Sequence, residues 1–547
     1  MTEGPLIVQS DKTLLLEVGH PDSAVCRAAI APFAELERSP EHVHTFRITP
    51  LALWNARAAG HDAEEAVDVL VRWSRFPVAH ALLVDVAETM ARYGRLVLES
   101  DERHGLVLRS NDRPVLEEVL KAKAIRPLVG ARIDADTVAI PTGERGRLKQ
   151  ALIKLGWPAE DRAGYVEGAP LQLDLTGDWV LRPYQVEAVD TFLATGNGVV
   201  VLPCGAGKTL VGAAAMVRAA SQTLILVTNI VAARQWRREL LARTSLTEDQ
   251  IGEYSGDVKE IRPVTIATYQ ILIAKKQGVM THLQLFGAMD WGLIVYDEVH
   301  LLPAPVFRMT AEIQSRRRLG LTATLVREDG RQSDVFSLIG PKRYDTPWRE
   351  MEAQGWIAPA ICTEVRVTLT DEERMRVALA EPDERYRVGA TAPSKLAVVE
   401  VLRRRHAGDL TLVIGQYLDQ LDTLAMMLHA PLITGKTPNV ERERLYDAFR
   451  RGEETILVVS KVANFSIDLP DATVAIQVSG AFGSRQEEAQ RLGRILRPKA
   501  DGRPAHFYTI VSRDTEDQLF AANRQRFLAE QGYAYEIVDA TTLLGQR

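Results

Sequence analysis

Four apolar residues, Val199-Val200-Val201-Leu202, lead straight into Pro203-Cys204-Gly205-Ala206-Gly207-Lys208-Thr209 and then into an alanine-rich stretch over 210–220. Strand, glycine loop and helix in that order admit few architectures. They suit a buried strand of a parallel sheet whose carboxyl end turns directly into a helix. Gly205 and Gly207, with Ala206 between them, let backbone N–H groups approach phosphate oxygens, and the helix N-terminus adds partial positive charge. Lys208 would neutralise the outer phosphates, and Thr209 can ligate magnesium. The general form of this loop has Gly at position 202, where this chain has Leu.

From about residue 180 the chain repeats this texture. Apolar runs at 198–202, 223–227, 264–267, 293–296 and 318–321 alternate with amphipathic stretches. A second series follows at 410–414, 432–433, 455–459 and 473–478. The expected fold class is α/β, with two tandem parallel-sheet lobes at 176–345 and 346–547. Ahead of them, 1–110 reads as a mainly helical domain, from apolar residues at three- and four-residue steps over 52–58, 63–73 and 84–93. Short apolar runs at 106–108 and 138–140, then a Gly- and Pro-rich stretch at 156–177, make 111–175 a small mixed α/β domain. The stretch 345–394, with four prolines and a charged run at 371–376, reads as a linker plus an insertion.

A second element points to the same chemistry. The strand Leu293-Ile294-Val295-Tyr296 ends in Asp297-Glu298, 89 residues after Lys208. A strand end delivers carboxylates to the sheet edge where phosphates sit. Asp297 would hold magnesium through water, and Glu298 would orient or deprotonate an attacking water. Alone, such a pair is ordinary polar loop chemistry; behind a phosphate loop it reads as a hydrolytic site.

With these motifs in order, the chain resembles superfamily 2 helicases, whose shorter G-x-G-K-T loop fits Leu202, and more narrowly the XPB family of DNA helicases. The run is Leu181-Arg182-Pro183-Tyr184-Gln185, Gly205 to Thr209, Gln235-Trp236, Thr268-Tyr269-Gln270, Asp297 to His300, Thr322-Ala323-Thr324, Ser466 to Pro470 and Gln490 to Arg497. Arg327-Glu328-Asp329, directly after Thr322-Ala323-Thr324, looks like the charged triplet associated with unwinding in that family. Residues 46–53 and 148–164 look like its bacterial branch. The resemblance implies RecA-like motor lobes behind an N-terminal helicase-associated domain and a small damage-recognition-like domain. It also implies a thumb-like insertion near 366–394, although 371–387 reads equally well as a solvated charged helix.

What the resemblance implies for single residues follows motif by motif. Arg182 and Gln185 would read or stack the adenine of ATP. Arg494 and Arg497, on the second lobe, would reach the γ-phosphate on closure, and a guanidinium fork suits the spread charge of phosphoryl transfer. Asp468 would support the nucleotide from the same lobe. A DNA track would use Thr228, Gln235, Gly256, Thr268 and Tyr269 on the first lobe and Thr434, Gly435 and Ser460 on the second, since hydroxyls, small residues and backbone amides grip phosphates without reading sequence. Trp236, Phe465 and Trp356 either stack on bases or fill the core beside a motif. The implied activity is ATP- and Mg²⁺-dependent 3′ to 5′ DNA unwinding on single-stranded and forked duplex DNA. Repair or transcription proteins are the expected partners, as for eukaryotic relatives within TFIIH. A duplex translocase with weak strand separation is the alternative.

Composition excludes other classes. The 547 residues carry 66 Lys/Arg against 72 Asp/Glu, a net charge of −6, so bulk charge cannot hold a polyanion. The first 110 residues hold most of the excess, 11 basic against 16 acidic. The DNA track is therefore expected on the two lobes and their insertion alone, with the acidic helical region serving regulation or docking. Cys26, Cys204 and Cys362 lie far apart and form no metal-ligand spacing. No basic leader or membrane-length apolar run is present, which makes the cytoplasm, at the nucleoid, the expected location, with no membrane partner. A nuclease in the first 180 residues would need an E-x-K motif, and none occurs there. An inert scaffold is excluded because Lys208, Thr209, Asp297, Glu298, Arg494 and Arg497 are all present.

Overall fold

The computed structural model describes residues 4–38, 42–177, 179–203, 205–256, 258–275, 280–314, 316–323, 332–346, 351, 360–460, 472–480, 504–519, 521 and 535–545. Two compact units divide the chain; the first takes 1–35, 46–202 and 207–346, and the second takes the remainder.

The N-terminal region contains the expected helices Pro50–Ala58, Ala63–Trp73 and His80–Ala91, preceded by Ser23–Ile30. Thr49 caps the first of these by accepting from the Ala52 N–H at 3.0 Å, and Asp62 caps the next through the Glu65 N–H at 2.8 Å. The region is less purely helical than its periodicity predicts, because it also holds four short strands: β1 (Leu6–Val8), β2 (Thr13–Glu17), β3 (Glu35–Arg38) and β4 (Val43–Arg47). β1 and β2 form an antiparallel hairpin that buries Leu6, Leu14 and Leu16.

The small mixed module begins earlier than its expected boundary at 111. β5 (Leu96–Asp101) and β6 (Gly105–Ser110) form a hairpin that joins β7 (Thr137–Ala139) and β8 (Ala159–Asp161) in one sheet, ordered β7-β6-β5-β8. Residues 96–110 thus belong with the second sheet because their apolar side chains, Leu96, Leu98, Leu106 and Leu108, pack on the helix Arg145–Lys154 through Leu148 and Leu152. That helix also crosses the helix Ala304–Glu312 of the first lobe. A Cβ at Gly146 would lie 2.4 Å from the Ala311 carbonyl oxygen, so only glycine permits this approach. Beside the crossing, Asp161 accepts from Arg145 at 2.6 Å and from Lys149 at 2.9 Å, and Lys149 also donates to Gln314 at 3.0 Å. Burial pushes the Lys149 ammonium down to about 8, although Asp161 pulls the other way.

The first lobe is a seven-stranded, wholly parallel sheet of β9 (Asn197–Val201), β10 (Thr223–Val227), β11 (Ile251–Tyr254), β12 (Val264–Thr268), β13 (Leu293–Asp297), β14 (Arg317–Thr322) and β15 (Lys342–Asp345), ordered β11-β12-β10-β13-β14-β9-β15. Its inner strands are buried on both faces, which is why they read as unbroken apolar runs. The glycine loop leaves the carboxyl end of β9 and the acid pair the carboxyl end of β13, with β14 between them. That is the edge where an open α/β sheet takes its ligand.

The second lobe repeats the plan with β16 (Ala360–Val367), β17 (Thr411–Gly415), β18 (Leu432–Ile433), β19 (Ile456–Ser460), β20 (Val474–Gln477), β21 (Ala505–Ser512) and β22 (Tyr535–Asp539), ordered β18-β19-β17-β20-β21-β16-β22. Its pairings are again parallel. The insertion after β16 contains the helices Asp371–Leu379 and Arg385–Ala390. Thr370 and Glu373 form a capping box on the first, and Glu373 also accepts from the Ser394 N–H at 2.8 Å, which ties the insertion to the start of the helix Ser394–Arg405.

Candidate active site

Gly205 and Gly207 both adopt left-handed backbone, with φ of +81° and +78°, so the loop turns as its sequence requires. Lys208 opens the helix Lys208–Ala219, and Thr209 follows it half-buried. Gln185 lies against this turn: a Cβ on Gly207 would stand 2.5 Å from its Nε2. The same side chain accepts from the Arg182 N–H at 2.9 Å, closing the capping box of the helix Pro183–Thr195, while Arg182 donates to the Tyr184 hydroxyl at 3.3 Å. The two residues expected at the adenine are therefore already joined, with Gln185 buried beside the phosphate loop.

The acids arrive on β13. Lys208 Nζ stands 3.4 Å from Glu298 Oε1 and 3.5 Å from the Leu202 carbonyl. Glu298 has φ +49° and ψ 54°, a left-handed conformation for a residue with a Cβ. Such strain persists where the surroundings overdetermine it. Here His300 Nδ1 lies 3.5 Å from Glu298 Oε2 and 2.7 Å from the Thr322 hydroxyl, which itself reaches the same carboxylate at 3.5 Å. Burial pushes the Glu298 carboxyl up, but the Lys208 ammonium, seconded by His300, outweighs it and leaves Glu298 below its ordinary value. Asp297 moves the other way, to about 6, through burial and then the charge of Glu298 beside it.

Two side chains that sequence reasoning did not assign to this site hold Asp297. Trp236 donates its indole N–H to Asp297 Oδ2 at 2.9 Å, and Tyr269 donates its hydroxyl to the Asp297 carbonyl at 2.9 Å. Of the two roles open to Trp236, the structure selects the core one. Its ring is buried and fills the space over Gly212, where a Cβ would lie 2.5 Å from the indole. The only sequence signal was adjacency to a motif.

The expected DNA-track residues divide by exposure. Gln235 and Gly256 are exposed and Thr228 is half-buried, whereas Thr268 and Tyr269 are both buried. Thr268 caps the short helix Tyr269–Ile273, and the Tyr269 hydroxyl is spent on the Asp297 carbonyl. In the second lobe Gly435 is exposed, Ser460 is buried at the end of β19, and Thr434 sits in a turn whose carbonyl accepts from Arg442 at 3.1 Å. Arg327, Glu328, Asp329, Asp468, Arg494 and Arg497, together with Trp356 and Phe465, lie outside the described residues. Among the described residues no cluster of three or more His, Cys, Asp or Glu could hold a metal ion, and no helix is long and apolar enough to cross a membrane.

Comparison with known proteins agrees with this geometry. A family model described as the ERCC3/RAD25/XPB C-terminal helicase matches residues 351–546, and one described as the type III restriction enzyme res subunit matches 178–327. A third, described as a helicase conserved C-terminal domain, matches 6–134, ahead of both motor sheets. The chain is 72% identical over 546 residues to a DNA 3′-5′ helicase XPB of Kineococcus radiotolerans, covering 100% of this chain and 98% of the relative. It is 69% identical over 547 residues to a protein of the same name from Mycobacterium tuberculosis, covering 100% of both. More distantly, it is 30% identical to the general transcription and DNA repair factor IIH helicase/translocase subunit XPB/SSL2 of Saccharomyces cerevisiae, over 97% of this chain and 72% of that one.

Proposed function

Because the chain belongs to the XPB family of DNA helicases, we propose that it is a DNA-dependent ATPase that unwinds DNA in the 3′ to 5′ direction, with ATP hydrolysed in its first lobe. The observation that carries this reading is the meeting of Lys208 with Glu298, 3.4 Å apart, at the edge that also presents Asp297. The lysine proposed to bind phosphate and the acid proposed to activate water thus stand side by side.

The residues present fit a divalent cation. Asp297 and Glu298 place two largely buried carboxylates against one ammonium, and Asp297 is raised in consequence. A cation compensates that surplus of negative charge. Thr209 and Asp297 would hold Mg²⁺, few protein ligands being what this ion takes beside phosphates. Bound there, it would neutralise the charge developing on the phosphates. Lys208 would give its charge to the outer phosphates, and Glu298, relieved of that partner, would accept the proton of the attacking water. His300 and Thr322 would keep the Glu298 carboxylate aimed. Trp236 and Tyr269 would fix Asp297 from behind. Gln185 and Arg182 would read the adenine. On their motif alone, Arg494 and Arg497 join this proposal as second-lobe groups for the γ-phosphate, and Asp468 as a nucleotide support.

DNA is the track, through the exposed or half-buried Thr228, Gln235 and Gly256 and, on the second lobe, Thr434 and Gly435. The 72% identity to a protein named a DNA 3′-5′ helicase favours strand separation over bare duplex translocation. Repair or transcription partners belong to the proposal by analogy with the yeast relative's name.

The test is strand displacement on 3′-tailed, 5′-tailed and blunt duplexes with ATP turnover followed in parallel. Unwinding of the 3′-tailed substrate alone is expected. ATP turnover with no displacement on any substrate would return the reading to a translocase. Replacing Arg327, Glu328 and Asp329 by alanine should lower displacement far more than turnover; equal losses would move the triplet to the nucleotide site.

A further inference from the structure

Beside the acidic N-terminal region lies a basic cleft. Four arginines from separate elements line a cavity of about 450 Å³: Arg57 at the end of the helix Pro50–Ala58, Arg95 before β5, Arg162 after β8, and Arg343 on β15. Glu160 and Tyr93 stand in the same wall. Arg343 is clamped by donating to the Ala58 carbonyl at 2.8 Å and the Asn197 carbonyl at 3.2 Å. Arg95 is held by Asp112 at 3.1 Å and the Ala91 carbonyl at 3.2 Å. Arg162 pairs with Glu160 at 2.9 Å, and Arg57 is exposed. Glu160 and Asp112 pair with these groups, and Glu99, itself paired with Arg109 at 3.2 Å, also acts on Arg162, so the four guanidinium groups of the cleft outnumber the carboxylates beside them. Backbone and carboxylate partners fix most of the guanidinium carriers, so they are ordered before a ligand arrives.

We propose that this cleft binds a phosphate group, either a backbone phosphate of DNA or a free phosphate ion. Several planar forks converging from different elements suit a tetrahedral oxyanion, which accepts from more than one guanidinium at once. The acidic excess of residues 1–110 disfavours polyanions there, and the guanidinium groups of this cleft offset it locally. Arg343 lies near the amino end of β15, away from the carboxyl edge that carries Lys208, so the difference between parent and variant in DNA binding without ATP reads this site apart from hydrolysis.

The experiment uses the full-length chain and an Arg57→Ala/Arg162→Ala variant. Both of these residues are exposed, whereas Arg343 braces the fold. Binding of a short fluorescent single strand is titrated across salt, and thermal midpoints are taken in phosphate and in chloride at equal ionic strength. For DNA as the source, the variant binds roughly tenfold more weakly at low salt, and its salt slope falls by about 0.7 for each phosphate no longer neutralised. Arg57→Lys/Arg162→Lys should restore most of the slope. For a free ion as the source, DNA binding is unchanged, and the stabilisation by phosphate over chloride disappears in the alanine variant. Basal ATP turnover without DNA should stay at the parental level in both variants and serves as the check on folding. Unchanged DNA binding together with unchanged phosphate stabilisation would overturn the proposal.

Discussion

Counted within each lobe in chain order, both sheets run 3-4-2-5-6-1-7. The same path therefore produces two domains, and their chemistry diverges at one connection. After the first strand of the first lobe come Gly205, Gly207 and Lys208; after the first strand of the second come Thr368, Leu369 and Thr370, with no glycine, and then a charged insertion. The helix that precedes the second strand carries a lysine near its start in both lobes, Lys208 in one and Lys395 in the other. Lys208 sits at the rim, its side chain 11% exposed and facing Glu298. Lys395 is fully buried, 2.6 Å from Asp517, and donates to the Val478 and Ile510 carbonyls at 2.9 and 3.0 Å. One lysine stands at the rim beside an acid and the other closes a core; on the function proposed above, the loop and not the sheet decides which lobe binds nucleotide.

The largest effect expected from this contrast is on stability. Lys395→Met would leave Asp517 buried without its cation and should cost about 3–5 kcal/mol, read as a lower midpoint in chemical denaturation. Adding Asp517→Asn should recover part of it; a Lys395→Met chain as stable as its parent would remove the structural half of the comparison. Next comes the acid proposed to activate water. Glu298→Gln should keep ATP binding but slow turnover about 10³-fold, roughly 4 kcal/mol in barrier. Lys208→Ala should lose both binding and turnover while leaving the denaturation midpoint nearly in place, the reverse of Lys395→Met.

Gly207→Ala tests the loop itself. Its φ of +78° and the 2.5 Å approach to Gln185 make a methyl group costly by roughly 1–3 kcal/mol, expected as weaker nucleotide binding. The smallest expected effect is that of Trp236→Phe. It keeps an aromatic ring against Gly212 but removes the hydrogen bond to Asp297, worth about 1 kcal/mol, so turnover should fall several-fold with little change in fold. Unaltered turnover would leave Trp236 a packing residue only.

How far the sequence could be read followed the range of the interactions. β10 and β13 are unbroken apolar runs because both faces are covered, and that makes them legible at once. β15, with the sequence Lys-Arg-Tyr-Asp, is a polar edge strand whose pairing with β9 leaves no periodic trace. β16 carries Thr363, Glu364 and Arg366 among its apolar residues in a proline-rich stretch and so reads as linker. Lys208, Asp297 and Glu298 announce themselves because each sits in a short local motif. Trp236 and Asp297 are 61 residues apart, and Lys395 and Asp517 are 122 apart, so only the fold could bring them together. The basic cleft is hidden for a related reason. Its four arginines span 57 to 343, and a regional charge count averages them away among acids.

The most direct test of the contrast between the lobes is a count of bound nucleotide. Equilibrium dialysis of the full-length chain against a non-hydrolysable ATP analogue with Mg²⁺ should give one site per chain, abolished by Lys208→Ala. A second site per chain, or a site that survives Lys208→Ala, would contradict the account.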